Sequence, residues 1–197
     1  MLCCDERKPS MGASMAKDFV NPFTPVVGKV PLHIAGREEI IADIEGALAG
    51  AGNDPAIISL LVGPRGMGKT ALLSHFADTA ESSGWVTARV TCVAGMLEDI
   101  LIRTQRATRH LVDIEPARKI KGAGIADFIS LELEDSPHEL SNWRSRMDDI
   151  LDALAECNTG LLVTIDEVNP SIDEMATLVA AFQHFLDEGK KVALIMA

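Results

Sequence analysis

Two short stretches of this sequence carry side chains that could do chemistry together. The first is Gly63-Pro64-Arg65-Gly66-Met67-Gly68-Lys69-Thr70, which fits Gly-x-x-x-x-Gly-Lys-Ser/Thr, the pattern of a phosphate-binding loop. Glycines at 63, 66 and 68 let the backbone curl around a polyphosphate with its N–H groups turned inward, where side chains would block the approach. Lys69 would set its ammonium on the β- and γ-phosphates, and Thr70 would offer its hydroxyl to Mg²⁺. The positive end of the helix that follows adds attraction for the anion. The expected ligand is therefore a nucleoside triphosphate with magnesium. Its contacts are expected to run through Gly63, Pro64, Arg65, Gly66, Met67, Gly68, Lys69, Thr70 and Ala71.

The second stretch, Leu161-Leu162-Val163-Thr164-Ile165-Asp166-Glu167, is a mostly apolar run that ends in two carboxylates. It reads as a buried parallel strand with its acids at the C-terminal edge of the sheet, where doubly wound folds bind their ligands. Asp166 is placed to hold Mg²⁺ through water, and Glu167 to orient and polarise the water that attacks the γ-phosphate. Glutamate at this position favours hydrolysis over sensing. Two solvated acids in a loop would be the blander reading, and the phosphate loop upstream argues against it.

Positioning these groups takes a particular series of elements. Strand 56–62 leads into the loop, and helix 69–82 leaves it and stops at Ser83-Gly84. The β-branched, alternating run 85–92 is a second strand, so strand, helix and strand follow in order. A helix over 95–112 carries Arg103, Arg106 and Arg109, which read as a solvated basic face rather than a nucleic-acid patch; Arg118, Lys119 and Lys121 follow. The alternation at Phe128–Leu133 suggests a short edge strand or hairpin. Pro137 opens a helix running to about Cys157, with Trp143 as an apolar anchor. Ser171-Ile172-Asp173-Glu174 reads as a capping signal for the next helix, which Gly189 ends, and 192–196 is a further buried strand. His184 falls near that helix's apolar side and reads as structural.

Upstream, three prolines between Asn21 and Leu32 enforce an extended arm, and apolar residues at 40, 41, 44, 47 and 48 give a helix from Arg37 or Glu38 to about Gly50–Gly52. Residues 1–20 are expected to be a flexible tail and 21–197 one core, with 21–52 its arm and first helix.

The composition sets limits on function. Eighteen Lys and Arg against 29 Asp and Glu give a net charge of −11, which argues against a general nucleic-acid or anionic-membrane surface. Aromatics are 4% of the 197 residues with no tyrosine, so the core must be aliphatic. Four cysteines at 3, 4, 92 and 157 show neither Cys-x-x-Cys spacing nor a matching histidine, and read as reduced thiols. With no secretory leader and no apolar run long enough to span a bilayer, a soluble cytoplasmic protein is expected.

The arm, Gly36-Arg37-Glu38, the loop Gly63–Thr70 and the pair Asp166-Glu167, in that order, resemble the AAA+ superfamily of P-loop ATPases, especially its origin-initiator and signal-transduction branches. The resemblance covers about residues 21–197. It implies an α/β fold of the P-loop NTPase type: a doubly wound parallel sheet with helices on both faces, strand 192–196 lying between the loop strand and the acidic strand. It also implies ATP or ADP as ligand, ATP hydrolysis as reaction, and Ile34, Gly36 and Arg37 beside the adenine.

In such proteins the polar sensor, the arginine finger, a fifth strand and a helical lid follow the strand matching 192–196. Here the sequence ends at Ala197, so an incomplete core with weak or no turnover is expected, an arginine finger contributing ~10³–10⁵-fold in rate. The leading function is an ATPase module of a larger nucleotide-switched protein, reaching DNA only through a domain outside this chain. The alternative is a nucleotide-gated signalling scaffold, self-associating or engaging other proteins, in which binding outweighs turnover. A small-molecule kinase is disfavoured by Glu167 after Asp166 and by the lack of an Arg-rich lid.

Overall fold

Apolar residues spaced two apart and three to four apart sort this chain into parallel strands and the helices that cover them. A computed structural model describes residues 36–50, 54–114 and 140–197. The elements in order are α1 (Glu38–Ala49), β1 (Ile58–Leu60), α2 (Lys69–Ser82), β2 (Val86–Thr91), α3 (Met96–Ile114), α4 (Leu140–Glu156), β3 (Leu161–Asp166), α5 (Asp173–Asp187) and β4 (Val192–Met196). The tail, the arm, Ile34, the cluster at Arg118–Lys121, the strand expected at 128–133 and the helix start at Pro137 all lie outside the described residues.

The four strands form one sheet in the order β1-β4-β3-β2, and every neighbouring pair is parallel. As expected, the last strand lies between the loop strand and the acidic strand. Register follows from burial: β3 and β4 are covered on both faces, and Val163 faces Leu194 while Val90 faces Ile165. One core lies under α3, α4 and α5, built on Phe182, Phe185, Met147, Ile100, Val163 and Leu194. The other lies under α1 and α2 and contains Phe76, Leu72, Leu162 and Ile195. This is the helix-on-both-faces α/β architecture expected of a P-loop NTPase core. Trp143 is buried in the first core, its indole N–H donating to the Leu97 carbonyl at 2.6 Å.

Two local expectations need correction. The first strand is shorter than 56–62. Asp54 accepts from the Ala56 N–H at 2.9 Å, and Pro55 opens a single 3₁₀ turn that consumes Ala56 and Ile57. At the other end Leu61 still donates to Met196 at 2.7 Å, after which the chain departs and leaves Val62 87% exposed. The capping signal at 171–174 also behaves differently. Ile172 occupies the N-cap of α5 and caps nothing with its side chain, while the Ser171 N–H donates to Asn169 Oδ1. Glu174 instead reaches across to α3, where its two oxygens accept from Gly95 N at 2.7 Å and Leu97 N at 3.0 Å. A carboxylate at a helix N-terminus satisfies orphan N–H groups and complements the helix dipole. The neighbouring helix offers more of that than its own first turn does.

Among the described residues no helix is long and apolar enough to cross a membrane.

Candidate functional site

The loop between β1 and α2 owes its shape to two glycines. Gly66 and Gly68 sit at φ +84° and +80°, where an L side chain would be strained, and a Cβ at either would meet open space, so backbone conformation rather than crowding demands glycine there. Gly63 has no such φ and gives the loop accessible backbone instead, correcting the expectation that all three turn the chain by the same freedom. Gly68 is the N-cap of α2, so Lys69 and Thr70 open a helix whose first N–H groups face the loop.

Lys69 folds back over the loop. Its ammonium donates to the carbonyl of Gly63 at 3.0 Å and lies 3.4 Å from that of Pro64. Pro64, Arg65 and Met67 are exposed, and Ala71 is half-buried in the first turn of α2.

Parallel pairing brings the second stretch to the same edge. The Thr70 hydroxyl donates to Asp166 Oδ2 at 2.7 Å across 96 residues of sequence. The other carboxylate oxygen, Oδ1, accepts from the Glu167 N–H at 2.9 Å. Glu167 has φ +58°, an uncommon conformation for a residue with a side chain, and is exposed. Residues on both sides of it are held: Cys92 N donates to the Asp166 carbonyl at 3.0 Å, and Val168 N to that of Ala197 at 2.8 Å. The Cys92 thiol meets the N–H of Asn169 at 3.4 Å. The corner after β3 is therefore fixed in shape, while the Glu167 carboxylate makes no hydrogen bond among the described residues.

Two cavities flank the loop. The larger, about 420 Å³, lies between α1, the end of β1 and the loop; Arg37, Ile40, Asp43, Ile44, Met67 and Lys69 are among the residues that line it. Of the three residues that the resemblance sets beside a base, Arg37 lines this cleft, Gly36 lies next to it in sequence with its N–H on Glu38 Oε1 at 3.0 Å, and Ile34 is outside the described residues. The Glu38 carboxyl is held below its ordinary range first by its own backbone N–H and then by that of Gly36. The smaller cavity, about 180 Å³, opens on the other side of Thr70 and is walled by Ser74, Arg89, Thr91 and Asp166.

Arg89 was not singled out by the sequence. It pairs with Asp78 at 2.6 Å and Glu81 at 2.9 Å. Burial works against its charge, but the hydrogen bonds to Asp78 and then Glu81 outweigh that and raise its pKa. The signal that could have found it is its place on the strand face turned to α2, two residues before Thr91.

The donor set suits a hard cation with a polyanion. A hydroxyl and a carboxylate touch at the sheet edge beside a lysine and a helix N-terminus, and Mg²⁺ is commonly held by one or two such groups together with phosphate oxygens. No cluster of three or more His, Cys, Asp or Glu fit to cage a metal occurs among the described residues, so such an ion would need oxygens from the ligand itself.

Comparison with known families identifies the AAA ATPase domain over residues 33–195, a span that includes both stretches. No curated protein and no solved structure matches the chain. With the parallel sheet, the loop and the acidic strand in their places, the chain belongs to the family of AAA ATPase domains.

Proposed function

We propose that this chain binds ATP with Mg²⁺ and acts as the nucleotide-switched core of a larger protein. The observation that carries the reading is the 2.7 Å contact between Thr70 and Asp166, which joins loop and acidic strand into one site beside Lys69. In this reading the N–H groups of Gly66, Gly68 and Lys69 face the phosphates, and the Lys69 ammonium exchanges its two loop carbonyls for β- and γ-phosphate oxygens. Thr70 and Asp166 hold the metal, and Arg37 borders the base. Bound Mg²⁺ would supply neutralisation of charge across the β- and γ-phosphates. Glu167 orients the water whose oxygen attacks the γ-phosphorus as the bond to the bridging oxygen breaks.

Turnover by this chain alone is proposed to be slow, because nothing among the described residues orients the Glu167 carboxylate. That same observation favours a second reading, a nucleotide-gated signalling scaffold in which ATP or ADP sets the partner state and hydrolysis is incidental. Origin-initiator and signal-transduction ATPases are the branches that these two readings correspond to. Isothermal titration with Mg-ATP, Mg-GTP and Mg-ADP, with Lys69→Ala as control, tests the proposal. Tight adenine-nucleotide binding lost in Lys69→Ala supports it, whereas equal binding by both proteins overturns it. Phosphate release measured on the same samples separates the ATPase from the scaffold.

A further inference from the structure

We propose that Met67 is an oxidation site that governs nucleotide uptake, its thioether being converted by peroxide to the sulfoxide within the phosphate loop. The inference rests on the reading that this loop takes a nucleotide. Among the described methionines, Met96, Met147, Met175 and Met196 are at most 8% exposed, whereas Met67 is 51% exposed. It stands between the left-handed Gly66 and Gly68, on a loop whose residues 62–68 are all exposed. Met67 lines the larger cavity together with Ile40, Ile44 and Leu72 and with the charged Arg37 and Asp43, while Lys69 marks the phosphate end. A thioether so placed is both open to solvent and next to the space that a bound nucleotide fills.

The chemistry balances with hydrogen peroxide as oxidant. A sulfur lone pair attacks one peroxide oxygen, the S–O bond forms as the O–O bond breaks, and the hydroxide released takes up a proton to leave as water. Sulfur is oxidised by two electrons and the peroxide is reduced by two. The product replaces a flexible apolar side chain with a polar, chiral one, reversible by methionine sulfoxide reductases. The polar, bulkier sulfoxide then stands where a nucleotide closes against the loop, and the apolar contact that the thioether would make with it is lost. Affinity is then expected to fall about tenfold.

The test treats the full chain with graded hydrogen peroxide and maps each methionine by peptide mass. Met67 is expected to oxidise before Met96, Met147, Met175 and Met196, and more slowly when Mg-ATP is present. Mg-ATP affinity is then measured before and after treatment for wild type and for Met67→Leu, each protein compared with itself so that the variant's starting affinity does not enter. Wild type is expected to lose about tenfold and recover after reductase treatment, and the variant to change little. Oxidation of Met67 no faster than the buried four overturns the proposal. So does an unchanged affinity once Met67 is oxidised, or an equal loss in the variant. Failure of untreated protein to bind Mg-ATP would instead overturn the nucleotide reading, while the order of oxidation would still be read from the masses.

Discussion

In the proposed reading, Glu167 is the residue at which folding and function pull in opposite directions. Its φ of +58° places a side-chain-bearing residue in the left-handed region, at a cost of about 1–2 kcal/mol. Asparagine tolerates that region far better. Glu167→Asn is therefore expected to raise the melting temperature by about 2–4 °C, the equivalent of ~1 kcal/mol in a domain of this size, while abolishing whatever phosphate release the wild type shows. Calorimetry and a phosphate assay on the same preparations check this. A lower melting temperature would mean that the conformation carries no strain, and unchanged phosphate release would remove Glu167 from the chemistry. Thr70 and Asp166 contrast with it. They satisfy each other's hydrogen bond, so the folded chain bears no comparable penalty for holding them together.

At the scale of elements, the turn that ends α4 and the link that follows α5 hold the helices to the far end of the sheet. Gly160 immediately precedes β3 and lies against Trp85: a Cβ there would lie 2.7 Å from Cε3 and Cζ3 of the indole and 2.9 Å from Lys191 Cγ. The Lys191 chain can yield, but Trp85 is buried, with the Lys191 ammonium 5.0 Å from its ring centre. Gly160→Ala is expected to cost about 2 kcal/mol, read as a lower urea midpoint at unchanged slope, because overpacking a fixed ring forces backbone shifts. A midpoint equal to wild type would show that the ring moves freely. Lys190 ties the segment after α5 to Asp148 and Asp152 of α4. Burial opposes its charge, but hydrogen bonds with Asp152 and Asp148 and their charges prevail and raise its pKa. A raised folded value means stability present below the unfolded pKa and lost as pH climbs through the folded one. The advantage of wild type over Lys190→Met should be constant from about pH 7 to 9 and shrink above about 10.4. An advantage that grows with pH in that window would contradict the assignment.

At the scale of the whole molecule, the features set by local spacing were legible and those set by distant partners were not. The loop, the acidic strand end, and α2, α5 and β4 are close to where periodicity predicts them, because each is specified by residues within one or two turns. The position of β4 between β1 and β3 came from resemblance, since no local pattern encodes strand order. The clamp of Glu174 on α3, the hold of Lys69 on its own loop and the pairing of Arg89 all depend on groups that only the tertiary fold brings near. Net charge was legible from the start, and it yields a prediction on its own. With −11 overall, the long-range field repels a nucleotide that the few cations at the loop attract only at close range. Raising ionic strength from about 10 to 150 mM shortens the screening length from about 30 to 8 Å, which weakens the distant repulsion more than the contact attraction. The association rate of a fluorescent ATP analogue with Mg²⁺, followed by stopped flow, is thus expected to rise about two- to threefold over that range. A basic nucleotide-binding protein would show the opposite slope. A rate that falls with salt would mean that the site's own positive field reaches beyond the acidic surface around it.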